Sequence, residues 1–88
     1  MIPTMTTLAD LPNGARARVS RVTGEAFLRE RIVELGFTPG ALVEVKGRAP
    51  LGDPIQLRLR GGGLALRRDE AACVEVVPLE GGASGEAA

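Results

Sequence analysis

The sequence has no histidine, tryptophan or tyrosine, and Cys73 is its only cysteine. Without imidazole the usual proton shuttle near neutral pH is missing. Serine occurs twice, as Ser20 and Ser84, and neither has a histidine to activate it. A lone cysteine forms no internal disulfide and no CxxC pair. "GGG" (61–63) runs into "LALRR", not into the lysine and helix of a phosphate-cradling loop. These gaps point away from an enzyme. No apolar run approaches the roughly 18 residues of a membrane span, and no signal-peptide pattern opens the chain, so a cytoplasmic protein is expected. Eleven basic and eleven acidic residues cancel to zero formal charge, unlike a protein that coats itself on phosphate backbones.

What is present is alternation and punctuation. "ARARVSRV" (15–22) sets Ala15, Ala17 and Val19 on one side and Arg16, Arg18 and Ser20 on the other. That period of two predicts a half-buried strand. "ALVEVKGRA" (41–49), "IQLRLR" (55–60), "LALRR" (64–68) and "CVEVV" (73–77) repeat the pattern, with "GGG" as a hairpin turn and "DEAA" (69–72) as another turn. Between Gly24 and Gly36, "EAFLRERIVEL" carries Leu28, Ile32 and Leu35 at helical spacing. Glu25 suits its N-terminus and Gly36 a left-handed C-terminal cap. From Pro78 onward, "PLEGGASGEAA" reads as a disordered tail.

Five short strands do not make a stable flat sheet with two open edges. Curling removes most of the edge and encloses valine, leucine and isoleucine. The expected fold is therefore all-β with one short helix, a small SH3-like five-stranded barrel, with an OB-like barrel as the alternative. It fills residues 1–78, and residues 79–88 form the tail.

Two proline- and glycine-rich stretches, "LGFTPG" (35–40) and "APLGDP" (49–54), stand out in so plain a chain. Proline stiffens a loop, so docking orders less chain. Phe37 and Leu51 put large apolar side chains on or beside turns, where they suit anchors for a partner. Phe37 equally suits a core residue under the helix end. The expected partner-binding surface is a preformed apolar notch of Phe37, Pro39, Gly40, Pro50, Leu51, Gly52, Asp53 and Pro54, with Val33 extending it along the helix. Asp53 also suits a capping role in its own turn.

"LADLPNGARARV", a helix, "ELGFTPGALVEV" and "APLGDPIQLRLRGGGLALRRDEAACVEV" follow in order from about Thr7 to Val77. This succession resembles the FeoA family, ferrous iron transport protein A. The resemblance implies a cytosolic SH3-like domain that is an accessory or regulator of FeoB, the membrane ferrous-iron transporter with a cytoplasmic GTPase domain. That domain is the implied partner. Contact with the membrane is then only through the transporter, nucleic acid is not a partner, and the chain is a monomer or a weak homo-oligomer.

Two alternative functions are carried by particular residues. Glu30 and Glu34 project from one helix face and Cys73 offers a thiol, a weak ligand set for a metal sensor or carrier. Ferrous iron would lack imidazole there, so no cofactor is expected. Arg58, Arg60 and Arg67, with Arg68 and the neighbouring Arg16 and Arg18, read first as a solvated face, second as a surface for an acidic protein partner and third as a nucleic-acid-binding barrel, since no aromatic stacking platform accompanies them.

Overall fold

The computed structural model describes residues 6–79. Six strands form one antiparallel sheet: β1 (Thr6–Thr7), β2 (Arg16–Val22), β3 (Leu42–Arg48), β4 (Ile55–Leu59), β5 (Gly62–Leu66) and β6 (Val74–Pro78). Their order in the sheet is β1-β6-β2-β3-β4-β5. Helix α1 (Ala26–Glu34) follows β2, and a one-turn helix, α2 (Arg68–Ala71), precedes β6. The small SH3-like all-β fold expected from the sequence is what forms, with one strand more than expected. The added strand is β1, whose Thr6 and Thr7 pair with Val76 and Glu75. Two residues are too few to show alternation, so only the β6 edge reveals the pairing.

One face of the sheet is apolar and wraps the core. Ala15, Ala17 and Val19 from β2 and its lead-in, Val43 and Val45 from β3, Ile55, Leu57 and Leu59 from β4, Leu66 from β5, and Val74 and Val76 from β6 are all buried. Alanine at 15 and 17 leaves room for the strands to bend closely over one another. Register shifts at Val19/Arg21 in β2 and Val45/Gly47 in β3 insert one extra residue each. Such bulges raise local twist and let a sheet curl. Leu8 and Leu11, from a 3₁₀ turn and its end, Ile32 of α1, Phe37 and Ala71 of α2 complete the core.

Several local expectations are corrected. Of the predicted helix stripe, Ile32 is buried and Leu28 is half-buried, but Leu35 is 48% exposed. The chain turns at Gly36, with φ of +119°, and carries Leu35 off the sheet. "DEAA" is α2 rather than a turn: the Glu70 side chain accepts from the Arg67 N–H at 2.8 Å, a cap that starts a helix. The β4–β5 hairpin turns on Arg60 and Gly61, at φ of +55° and +80°, with Leu59 paired to Gly62. Two successive positive φ values make the mirror-image turn that matches strand twist, and Gly62 and Gly63 belong to β5. Pro78 ends β6 instead of opening a tail, and the Leu79 N–H donates to Arg16 O at 2.9 Å. The rest of the predicted tail, residues 80–88, lies outside the described residues.

Candidate functional site

The two proline–glycine loops lie at opposite ends of β3, one before Leu42 and one after Arg48. Seven strand residues separate them, about 23 Å of extended chain. The structure therefore does not bring the predicted notch together as one surface. Both loops are nonetheless held by their own hydrogen bonds.

In the first loop, the Ala41 N–H donates to Thr38 O at 2.9 Å. Pro39 and Gly40 occupy the middle of that turn, and Gly40 has φ of +88°. Proline followed by a residue of positive φ is the pattern of a type II turn. The Gly40 N–H donates to Val19 O at 2.7 Å, which staples the turn to β2. Phe37 is fully buried and is a core residue, not an exposed anchor. Removal of a fully buried phenylalanine side chain costs about 3–5 kcal/mol.

In the second loop, the Gly52 N–H donates to Ala49 O at 2.7 Å, and the Ala49 N–H donates to Pro54 O at 3.1 Å. Pro50 and Leu51 form the tip, and Leu51 is 93% exposed. The Asp53–Pro54 peptide bond is cis. Asp53 Oδ1 accepts from the Arg68 N–H at 2.9 Å, so it caps the start of α2 rather than its own turn. Val33 is exposed on α1, and so is Phe27, at 79%. Sequence reasoning missed Phe27, because an aromatic in a helical run reads as core until packing shows otherwise.

The most shaped surface lies on the outer face of β2, β3 and β4. Register sets Arg16, Glu44 and Arg58 in one row across these strands. The next row runs Val77, Arg18, Leu42, and Arg60 follows at the end of β4. The type II turn overhangs this face and makes a groove of about 520 Å³, lined by Arg16, Pro39, Leu42, Glu44, Arg58 and Arg60 among others. Leu42 is 39% exposed on its floor. A second depression of about 510 Å³ continues past Arg58, over Lys46, Gln56 and Ala65. Arg18 Nη1 donates to Gly40 O at 3.0 Å, and Arg60 Nη2 donates to Thr38 Oγ1 at 3.2 Å. Thus Pro39 and Gly40 belong to the groove, whereas Pro50, Leu51, Gly52, Asp53 and Pro54 do not.

The arginines divide between two regions. Arg16, Arg18, Arg58 and Arg60 share the groove face. Arg67 and Arg68 lie with Asp10, Asp53 and Asp69 at another part of the surface. Glu30 and Glu34 are exposed on α1, and Cys73 is half-buried with its Sγ 3.5 Å from Asp69 O. Among the described residues, no three cysteine, aspartate or glutamate side chains cluster to hold a metal ion.

A curled antiparallel sheet with a short helix over its end, and side-chain rows exposed on its outer face, defines a small SH3-like domain. No helix of the described residues is long and apolar enough to cross a membrane. The chain belongs to the FeoA domain family, which residues 6–78 match. It is 41% identical over 69 residues to the Fe(2+) transport protein A/Fe(2+) transporter FeoB fusion protein of Porphyromonas gingivalis. That match covers 78% of this chain and 8% of the fusion protein. The NMR structure of a FeoA-like protein from Clostridium acetobutylicum superposes with a TM-score of 0.80 at 33% identity, covering 89% of this chain and 91% of that one. FeoA of Stenotrophomonas maltophilia, crystallised with zinc and described as a prokaryotic SH3 domain protein, gives 0.72 at 32% identity, covering 82% and 89%.

Proposed function

We propose that this chain is a cytoplasmic protein-interaction module of ferrous iron uptake, which docks on the cytoplasmic part of a FeoB-type transporter and regulates it. The observation that carries this reading is the fusion relative, in which a FeoA sequence and a FeoB transporter share one polypeptide. Domains joined in one chain meet at high effective concentration, and separate chains that act together need a binding surface instead. Leu51 supplies one point of such a surface: an apolar side chain held out to solvent on a hydrogen-bonded turn. Burial of a side chain of that size contributes about 1.5–3 kcal/mol, and the stapled turn reduces what ordering costs.

The test is calorimetric titration of the purified cytoplasmic domain of the same cell's FeoB-type transporter into this protein, with the domain's GTP hydrolysis followed in parallel. Binding is expected at micromolar concentrations, weakened about tenfold or more by Leu51→Asp, with a change in hydrolysis rate when wild type is added. No heat at any concentration and an unchanged rate would overturn the reading. Equal binding by wild type and Leu51→Asp would remove the 49–54 loop from it.

A further inference from the structure

We propose that the outer-face groove between the type II turn and strands β2–β4 binds an acidic, extended segment of a partner protein, with an apolar side chain of that segment seated on Leu42. The proposal rests on the reading of this chain as a protein-interaction module and names the chemistry that one of its surfaces accepts.

Charge is the first argument. Arg16, Arg18, Arg58, Arg60 and Lys46 occupy this face over β2–β4, against the carboxylate of Glu44; Glu75, on the neighbouring β6, is paired with Arg21. Lys46 Nζ approaches Glu44 Oε2 at 3.8 Å, so that carboxylate already has a cation on its own strand. Among the described residues, Arg16 and Arg58 have neither an ion pair nor a side-chain hydrogen bond. The whole chain is neutral, so this excess is a local arrangement made by register. An acidic ligand is its electrostatic complement.

Position is the second argument. Outward arginines often guard the edge of a sheet against pairing with another chain. Here β2, β3 and β4 are interior strands, and the sheet's terminal strands are β1 and β5. Edge protection therefore does not account for Arg16, Arg18 or Arg58. β5, which does lie at the end, reads Gly-Gly-Leu-Ala-Leu and carries no charge at all.

Shape is the third argument. Leu42 lies beside Arg18 and is flanked by Pro39 and Ala41 in the groove wall. An apolar floor between cations suits an acidic segment that also carries an apolar residue. Nothing lies within 4 Å of where a side chain at Gly40 would begin, so the groove is open at the turn. Arg60 takes a left-handed backbone, φ +55°, where asparagine or glycine is preferred. Arg60 is the hairpin residue whose guanidinium reaches Thr38 at the rim.

The proposal is tested with the ¹⁵N-labelled full chain and three probes. They are the peptide acetyl-Glu-Asp-Leu-Asp-Glu-Leu-amide, its Gln/Asn counterpart and a six-residue oligodeoxythymidine. The acidic peptide is expected to shift the amides of Thr38, Gly40, Leu42, Glu44 and Arg58. Its affinity should fall about fivefold or more between about 0.05 and 0.3 M salt. Arg16→Gln with Arg58→Gln replaces two exposed side chains, keeps the dispersed spectrum and should lose about tenfold in affinity; Arg58→Gln alone supplies the same test if the pair does not fold.

No shift, equal shifts with the neutral peptide, or shifts confined to α1 or the 49–54 loop would overturn the proposal. Tighter binding of the oligonucleotide to the same amides would assign the groove to nucleic acid. Shifts of those amides with protein concentration alone would assign it to a second copy of the chain. The wild-type protein is also titrated with the transporter domain. Peptide binding without any transporter binding sinks the transporter reading and leaves the groove. Transporter binding without peptide binding does the reverse.

Discussion

Gly36 shows how one residue ties helix to sheet. Its φ of +119° is one that side chains rarely adopt, and a Cβ there would lie 3.0 Å from Leu59 Cδ2 and 3.4 Å from Arg60 Nε. Gly40 has a similar φ, +88°, but open space around it. Gly36→Ala therefore combines backbone strain with a packing conflict, and Gly40→Ala has the strain alone. Chemical denaturation should show a loss of about 2–4 kcal/mol for Gly36→Ala and about 1 kcal/mol for Gly40→Ala. Equal losses would mean that the Leu59 contact relaxes freely. Phe37 and Leu51 teach a related lesson. Both are large apolar residues beside glycine and proline, yet one is fully buried and the other almost fully exposed. Residue type does not separate them; the direction in which each turn aims its side chain does.

At the scale of elements, α2 is the instructive case. A helix of four residues has no stability of its own. It is held by acceptors on its first N–H groups: Glu70 on Arg67 and Asp53 on Arg68. Arg31 of α1 adds an ion pair to Glu70. The 49–54 loop thus does structural work through Asp53 while presenting Leu51 to solvent. Asp53→Ala should lower stability by about 1 kcal/mol and speed hydrogen exchange at the Arg68 amide. An unchanged Arg68 exchange rate would show that Asp53 acts only within its own loop. Helix α1 is the looser element, since Ile32 is its only fully buried residue.

At the scale of the whole molecule, stability concentrates in two pairings: β2–β6, which joins strands far apart in sequence, and β3–β4, which joins consecutive strands across the 49–54 loop. Amides of these strands should exchange most slowly in native-state hydrogen exchange, and those of α1 and the 49–54 loop faster. Comparable protection of α1 would contradict the loose packing of that helix. The core faces one side of the sheet, and the opposite face is left for charge. A neutral chain can therefore carry a cationic groove, because strand register, not composition, selects which residues become neighbours.

The strands with clear period-two patterns, the helix, the glycine that ends it and the small all-β fold are all legible in the order of the residues. These follow from local rules: alternation fixes which face is buried, and left-handed backbone selects glycine. Long-range packing settles the rest. It paired Thr6 and Thr7 with β6, turned Leu35 outward and Phe37 inward, and assigned Asp53 to a helix in another part of the chain. It also gathered Arg16, Arg18, Arg58 and Arg60 around Leu42. The physical reason is common to all of these. Each depends on which strand lies beside which, a relation between distant residues that local spacing does not encode.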